Sequence, residues 1–256
     1  MVDVLNNNQV AQFEATGYLS LPDLLTCDEI EELRGRTADI AEGRITSFPA
    51  EYIEYEPGKK GIRELSAVRK LNSCASVDAV FRRFSGHQAI LDLIQPLLGL
   101  DIKLFGSQAF MKPPGGVEKP YHQDSPYFSI EPMALVTCWI ALDDVTLENG
   151  CLWVIPGSHR LGPLSHSEPW IVGDRQDMRV PESEVDVSQE VAITIPAGGC
   201  SLHHSLILHR SLPNHTQGSR RGLAYHYMSA ESHWTDPDKP QPEFPLLRGR
   251  SYPGCV

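Results

Sequence analysis

No stretch of this 256-residue chain is apolar over anything like the roughly 20 residues that a helix needs to cross a bilayer, so no membrane span is expected. Met1-Val2-Asp3-Val4 lacks the basic and apolar regions of a secretory signal. Basic charge is also scarce. With 22 Lys and Arg against 33 Asp and Glu, the formal net charge is −11, a field that disfavours a sequence-independent grip on phosphate backbones and argues against a nucleic-acid partner. Six cysteines (Cys27, Cys74, Cys138, Cys151, Cys200, Cys255) include no Cys-x-x-Cys pair. Zinc-ribbon, thioredoxin-like and disulfide-framework readings therefore lack support, and buried reduced thiols are the expectation. There is no internal repeat and no low-complexity tract. These absences predict one soluble, cytoplasmic domain over residues 1–256 and leave homo-oligomer formation open.

What is present is globular in character. Hydrophobic residues make up 41% and charged residues 21%, and the 20 Gly and 20 Pro gather at segment ends, where turns between many short strands would need them. The N-terminal part, residues 1–100, predicts helices over 8–15, 26–41 and 77–98 with a strand at 17–21. Thr26 ahead of Asp28, Glu29 and Glu31 is the start signal of the second helix. From residue 101 the hydrophobic period changes to two. Strands are predicted near 103–112, 135–142, 152–155, 191–195, 201–208 and 223–230, which suits a jelly-roll core over 101–256 and a mainly β fold with N-terminal and flanking helices. Two stretches, 46–61 and 162–188, predict long surface loops, with Tyr52, Tyr55 and Trp170 as residues of lids over a site.

The most informative short segment is Pro120-Tyr121-His122-Gln123-Asp124. On a strand, residues i and i+2 project to one face, so His122 and Asp124 can converge on one ion. His209, at the exit of a strand-like run, is the best-placed third ligand, with His203 and His204 as rivals. Two imidazoles and one carboxylate form a facial triad that leaves three positions free for a bidentate co-substrate and O₂, the pattern of non-haem iron(II) oxygenases.

Several segments together resemble the phytanoyl-CoA dioxygenase family, a branch of the iron(II)- and 2-oxoglutarate-dependent oxygenases. They are Gly17-Tyr18-Leu19-Ser20-Leu21-Pro22, Gln108-Ala109-Phe110-Met111-Lys112-Pro113-Pro114-Gly115, Tyr121-His122-Gln123-Asp124, Asn149-Gly150-Cys151-Leu152-Trp153-Val154-Ile155-Pro156-Gly157-Ser158-His159 and His209-Arg210-Ser211-Leu212-Pro213-Asn214. The resemblance implies a double-stranded β-helix (a cupin-like barrel), His122, Asp124 and His209 as iron ligands, and Arg220 as the partner of the far carboxylate of 2-oxoglutarate. It implies further co-substrate contacts at Lys70, Gln108, Trp139 and Ser211. Strand alternation also favours Arg220 over Arg221, because Arg220 shares its face with Gly222, Ala224 and His226, which leave room for a small acid. The sequence departs from many members at Arg210, where glycine is common.

The implied reaction is hydroxylation or desaturation of an unactivated C–H bond in a small molecule, with 2-oxoglutarate and O₂ consumed and succinate and CO₂ released. A carboxylate at Asp124 argues against a halogenase, which needs that iron position vacant. Two rivals are a zinc hydrolase or isomerase on a cupin-like barrel, active without O₂, and a ligand-binding jelly roll with structural histidines.

Overall fold

The computed structural model describes residues 4–172 and 175–256. Its larger sheet runs in the order Tyr18–Leu21, Cys200–His204, Val136–Ala141, Gly222–Ser229, Ile102–Phe110, Val68–Asn72 and Ile53–Tyr55, with Leu246–Arg248 also paired to Ile102–Phe110. A four-stranded sheet, Val191–Ile193, Leu152–Val154, His209–Ser211 and Lys119–His122, lies opposite. All these pairings are antiparallel, and the fold is the expected double-stranded β-helix with helices at its N-terminal side. No helix among the described residues is long and apolar enough to cross a membrane.

Alternation on two central strands sets out the layers. Val136, Cys138 and Ile140, with Leu223, Tyr225 and Tyr227, pack into a core with Leu33, Ile40, Phe81, Phe84, Ile90 and Leu93 of the helices. The residues between them, Trp139, Ala141 and Ala224, face the small sheet, where they meet Leu152, Val154 and Ile193. Both strands are thus buried on both faces, and the side facing the small sheet holds the site.

The helix Cys27–Ala41 starts as its sequence predicts: Thr26 Oγ1 accepts from the Glu29 N–H while the Glu29 carboxylate accepts from the Thr26 N–H. The predicted helix over 77–98 is broken into Cys74–Val77, Ala79–Ser85 and Gln88–Leu98. Asp78 is extended and caps the second piece, accepting from the Val80 and Phe81 N–H groups, and Gly86 ends it. The expected strand over 201–208 stops at His204, the strand being Cys200–His204; residues 205–208 form a tight turn that leads into His209–Ser211 of the other sheet. The stretch 162–188 is not all loop, since Glu168–Val172 and Arg175–Arg179 pair as a hairpin, and 46–61 contributes the edge strand Ile53–Tyr55.

Candidate iron centre and co-substrate pocket

His122 ends one strand, His209 opens another, and the two are direct Cα partners in the antiparallel pairing. Partners across a sheet carry their side chains on the same face, and the imidazole centroids stand 4.1 Å apart. Asp124 arrives by a different route from the one expected. The strand stops at His122, and Asp124 has helical backbone angles (φ −76, ψ −46) at the entry to the Ser125–Tyr127 turn. Its N–H donates to the Ser205 carbonyl at 2.9 Å. A turn therefore brings the carboxylate back, not the two-residue period of a strand. Asp124 Oδ1 lies 3.8 Å from Nε2 of His122 and 3.8 Å from Nε2 of His209, and one ligand atom from each of the three lies within 4.8 Å of the others.

The donor chemistry fits a divalent cation. His122 Nδ1 faces the Pro120 carbonyl at 2.9 Å, and His209 Nδ1 faces the Ile207 carbonyl at 3.1 Å. A carbonyl only accepts, so Nδ1 carries a hydrogen on both rings, and in the neutral form each Nε2 presents a lone pair. Two lone pairs and a carboxylate oxygen turned toward one another repel unless a cation stands between them. Burial, with His209 and Lys119 nearby, holds the His122 imidazole well below its ordinary pKa, in the neutral form that ligation needs. Burial works to raise the Asp124 carboxyl, but His209, His226, His203 and the Thr137 hydroxyl outweigh it and the net shift is downward.

The other Asp124 oxygen is held by Thr137, which the sequence did not single out, with His203, a rival for the third ligand, and His226 close by. Thr137 Oγ1 donates to Oδ2 at 3.3 Å and lies 2.8 Å from His226 Nδ1, and His203 Nε2 lies 3.9 Å from the same Oδ2. Such contacts fix the orientation of a metal ligand. Thr137 was legible only in hindsight, as the residue two before Trp139 on a strand face turned toward the site. His204, a rival for the third ligand, points away: its ring lies 5.2 Å from that of His159, and its Nδ1 accepts from the Leu206 N–H.

Beside the triad is a cavity of about 260 Å³ into which Lys70, Gln108, Trp139, Ser211 and Arg220 all project. Arg220 is 3% exposed. Its Nη2 donates to the Gly150 carbonyl at 2.9 Å, its guanidinium lies 5.2 Å from the Trp139 ring centroid, and its buried Nε has no hydrogen-bond partner. Arg221 is spent elsewhere, with Nε and Nη2 each 2.8 Å from an oxygen of Asp143. Lys70 Nζ stands 3.3 Å from a Glu54 oxygen, and burial together with Arg69 lowers its pKa to about 8. Arg210 turns toward Glu190 (2.7 Å) and lies over the Tyr121 ring at 5.0 Å, so the unusual side chain at this position is accommodated by a local ion pair. The lid residues fare unequally. Tyr52 and Tyr55 pack against the larger core, whereas Trp170 is buried beneath Arg69, a residue that lines the cavity, 5.7 Å from its guanidinium.

The family model for phytanoyl-CoA dioxygenase (PhyH) matches residues 13–222, more than half of the chain. The chain belongs to the phytanoyl-CoA dioxygenase family. It is therefore an iron(II)- and 2-oxoglutarate-dependent oxygenase by family, and its His122, Asp124 and His209 cluster is compatible with iron. A curated relative, phytanoyl-CoA dioxygenase 1 of Oryza sativa subsp. japonica, is 27% identical over 257 residues, covering 89% of this chain and 90% of the relative. Among solved structures, EctD from S. alaskensis with bound Fe is 23% identical with a TM-score of 0.78, covering 98% of this chain and 89% of that one. The epimerase SnoN in complex with Fe³⁺, alpha-ketoglutarate and nogalamycin RO is 22% identical with a TM-score of 0.72, covering 93% and 97%. At these identities the two structures speak for the fold that the family shares.

Proposed function

We propose that this oxygenase hydroxylates or desaturates an unactivated C–H bond of a small polar molecule, with His122, Asp124 and His209 holding iron(II) and Arg220 receiving the far carboxylate of 2-oxoglutarate. One observation carries the reading. The cavity that opens beside the triad ends on a buried arginine whose Nε lacks a partner, and a carboxylate would satisfy it. When bound, iron(II) and 2-oxoglutarate supply O₂ activation and a two-electron oxidant, the co-acid leaving as succinate and CO₂.

The remaining roles fall to the chain. Trp139 and Leu152 wall the co-acid's path, Ser211 and Gln108 offer hydrogen bonds along it, and Lys70 adds positive charge between Glu54 and Phe110. Thr137, His203 and His226 keep the Asp124 carboxylate turned so that Oδ1 faces the histidines. His226 Nε2, buried without a partner beside Phe128, is free to meet a polar group of the substrate. Walls of this kind exclude water and confine the substrate, which a strongly oxidising site requires.

Size and lining favour a small polar substrate over the phytanoyl-CoA in the rice relative's name. At about 260 Å³ the cavity falls below the roughly 300–1,000 Å³ typical of pockets that bury a drug-sized ligand, and the co-acid takes part of it. Glu56, Arg69, Lys119 and Asp177 also line it, and a long apolar chain would desolvate them without compensation. Succinate formation with iron(II), 2-oxoglutarate and O₂, screened against polar metabolites and long-chain acyl-CoAs, tests the reading. Acceleration by a polar metabolite is expected. Acceleration by acyl-CoAs alone would overturn the substrate class, and no O₂-dependent succinate at all would overturn the oxygenase reading.

A further inference from the structure

We propose that Lys112 is a second cation for the far carboxylate of 2-oxoglutarate, so that the co-acid is clamped between Arg220 and Lys112. The inference rests on the co-substrate reading above and adds a residue that the sequence motifs did not assign.

Lys112 has φ +26, and apart from glycines only Ser73 shares a positive φ among the described residues. Such a conformation persists only where the surroundings enforce it, and it recurs where a side chain must be aimed at a ligand. Here the enforcement is explicit: the Lys112 carbonyl accepts from the Arg220 N–H at 3.0 Å and from Asn214 Nδ2 at 2.9 Å. One peptide unit thereby fixes the position of both cations.

Charge points the same way. Lys112 is 6% exposed and lines the cavity. Its Nζ donates to Ser211 Oγ at 2.9 Å and to the Leu212 carbonyl, which leaves its remaining position, an N–H once the amine is protonated, without an assigned partner. Among the described residues neither Lys112 nor Arg220 forms an ion pair with a carboxylate, whereas Lys70, Arg69, Lys119 and Arg210 all do. A buried guanidinium beside a buried amine, neither paired with a carboxylate among the described residues, constitutes a site for an anion that can bring a proton with it.

Burial, then Arg220 and Arg69, push the Lys112 amine down to about 6, while the more distant carboxylates Glu56 and Glu118 oppose the shift. Cys151, a buried thiol, also faces this pair, and its own pKa is raised by burial. At neutral pH the amine is thus largely unprotonated before the co-acid arrives, and a carboxylate against Nζ restores the ammonium. Binding of 2-oxoglutarate then takes up a proton.

The test is calorimetric titration of the full chain loaded with nickel(II), which does not support turnover, using 2-oxoglutarate and 2-oxopentanoate. The second acid keeps the chelating head and lacks the far carboxylate. Lys112→Met is expected to weaken 2-oxoglutarate by about 10- to 100-fold and 2-oxopentanoate by less than about 2-fold, and Lys112→Arg to recover most of the loss. Equal weakening of both acids would make Lys112 a structural tether of the Leu212 carbonyl and overturn the proposal, as would no weakening of either. Should Lys112→Met fail to fold, the wild-type protein decides. In buffers of different ionisation heat at about pH 8, 2-oxoglutarate is expected to take up close to one proton more than 2-oxopentanoate, and equal uptake would overturn the proposal. Wild-type protein that binds neither acid would overturn the co-substrate reading itself, and the Lys112 assignment with it.

Discussion

Gly222 and Trp139 are packed so closely that a Cβ on Gly222 would lie 2.0 Å from Trp139 Cζ2. The contact lies at the start of the Gly222–Ser229 strand, two residues after Arg220, and it lets the indole lie flat under the guanidinium at 5.2 Å. Gly222→Ala must therefore displace a ring that lines the cavity proposed to take the co-acid. Overpacking of this kind costs about 1–3 kcal/mol. The expected outcome is a lowered midpoint of unfolding together with weaker 2-oxoglutarate binding, measured by chemical denaturation and calorimetry. Loss of stability with unchanged binding would mean that the Trp139 position does not matter to the co-acid.

The adjacent arginines provide an internal control. Arg220 lines the cavity and has a buried Nε without a hydrogen-bond partner, while Arg221 is forked onto Asp143. Arg220→Lys, which keeps the charge but loses the planar fork, is expected to weaken 2-oxoglutarate by about 10- to 100-fold. Arg221→Lys is expected to leave that affinity unchanged and to lower stability modestly. The reverse pattern, read by the same titration, would exchange the two assignments.

Stability in acid follows from two histidines outside the triad. His204 is pushed down to about 4 by burial and by His159, and His203 to about 3 by burial and by His209. Once unfolded, both titrate near 6.5. Between those values the unfolded chain binds more protons than the folded one, so stability is full above about 6.5 and falls as the pH drops. The contribution of His204 is exhausted below about 4. Denaturation midpoints of the metal-free protein between pH 7 and pH 4 are expected to decline, less steeply in His204→Gln. A His204→Gln protein with an unaltered slope would show that this ring titrates normally when folded.

The parts of the molecule that sequence conveys well are those in which local pattern and tertiary role coincide. Thr26 with Glu29 marks a helix start because the cap is a local hydrogen-bonded unit, and the face holding Gly222, Ala224 and His226 is legible because strands alternate. The triad residues come together as expected, but the argument from strand spacing gave the wrong route: Asp124 lies past the strand end, and its place depends on a bond to Ser205, 81 positions on. Lys112 was invisible as a site residue for a similar reason. Its aim depends on a positive φ held by Asn214 and Arg220, about a hundred residues away, and no local pattern encodes that. Lys70 illustrates the converse, since a family position marked it for the co-acid while the folded chain also gives it Glu54 as a partner.

The account turns on one ion shared by His122, Asp124 and His209 with room beside it for a chelating 2-oxo acid. Anaerobic addition of iron(II) and then 2-oxoglutarate to the purified protein tests this most directly. A visible charge-transfer band that needs both additions, and that disappears in His209→Ala, is the predicted result. Colourless wild-type protein at saturating iron(II) and 2-oxoglutarate, or a band that survives intact in His209→Ala, would contradict it.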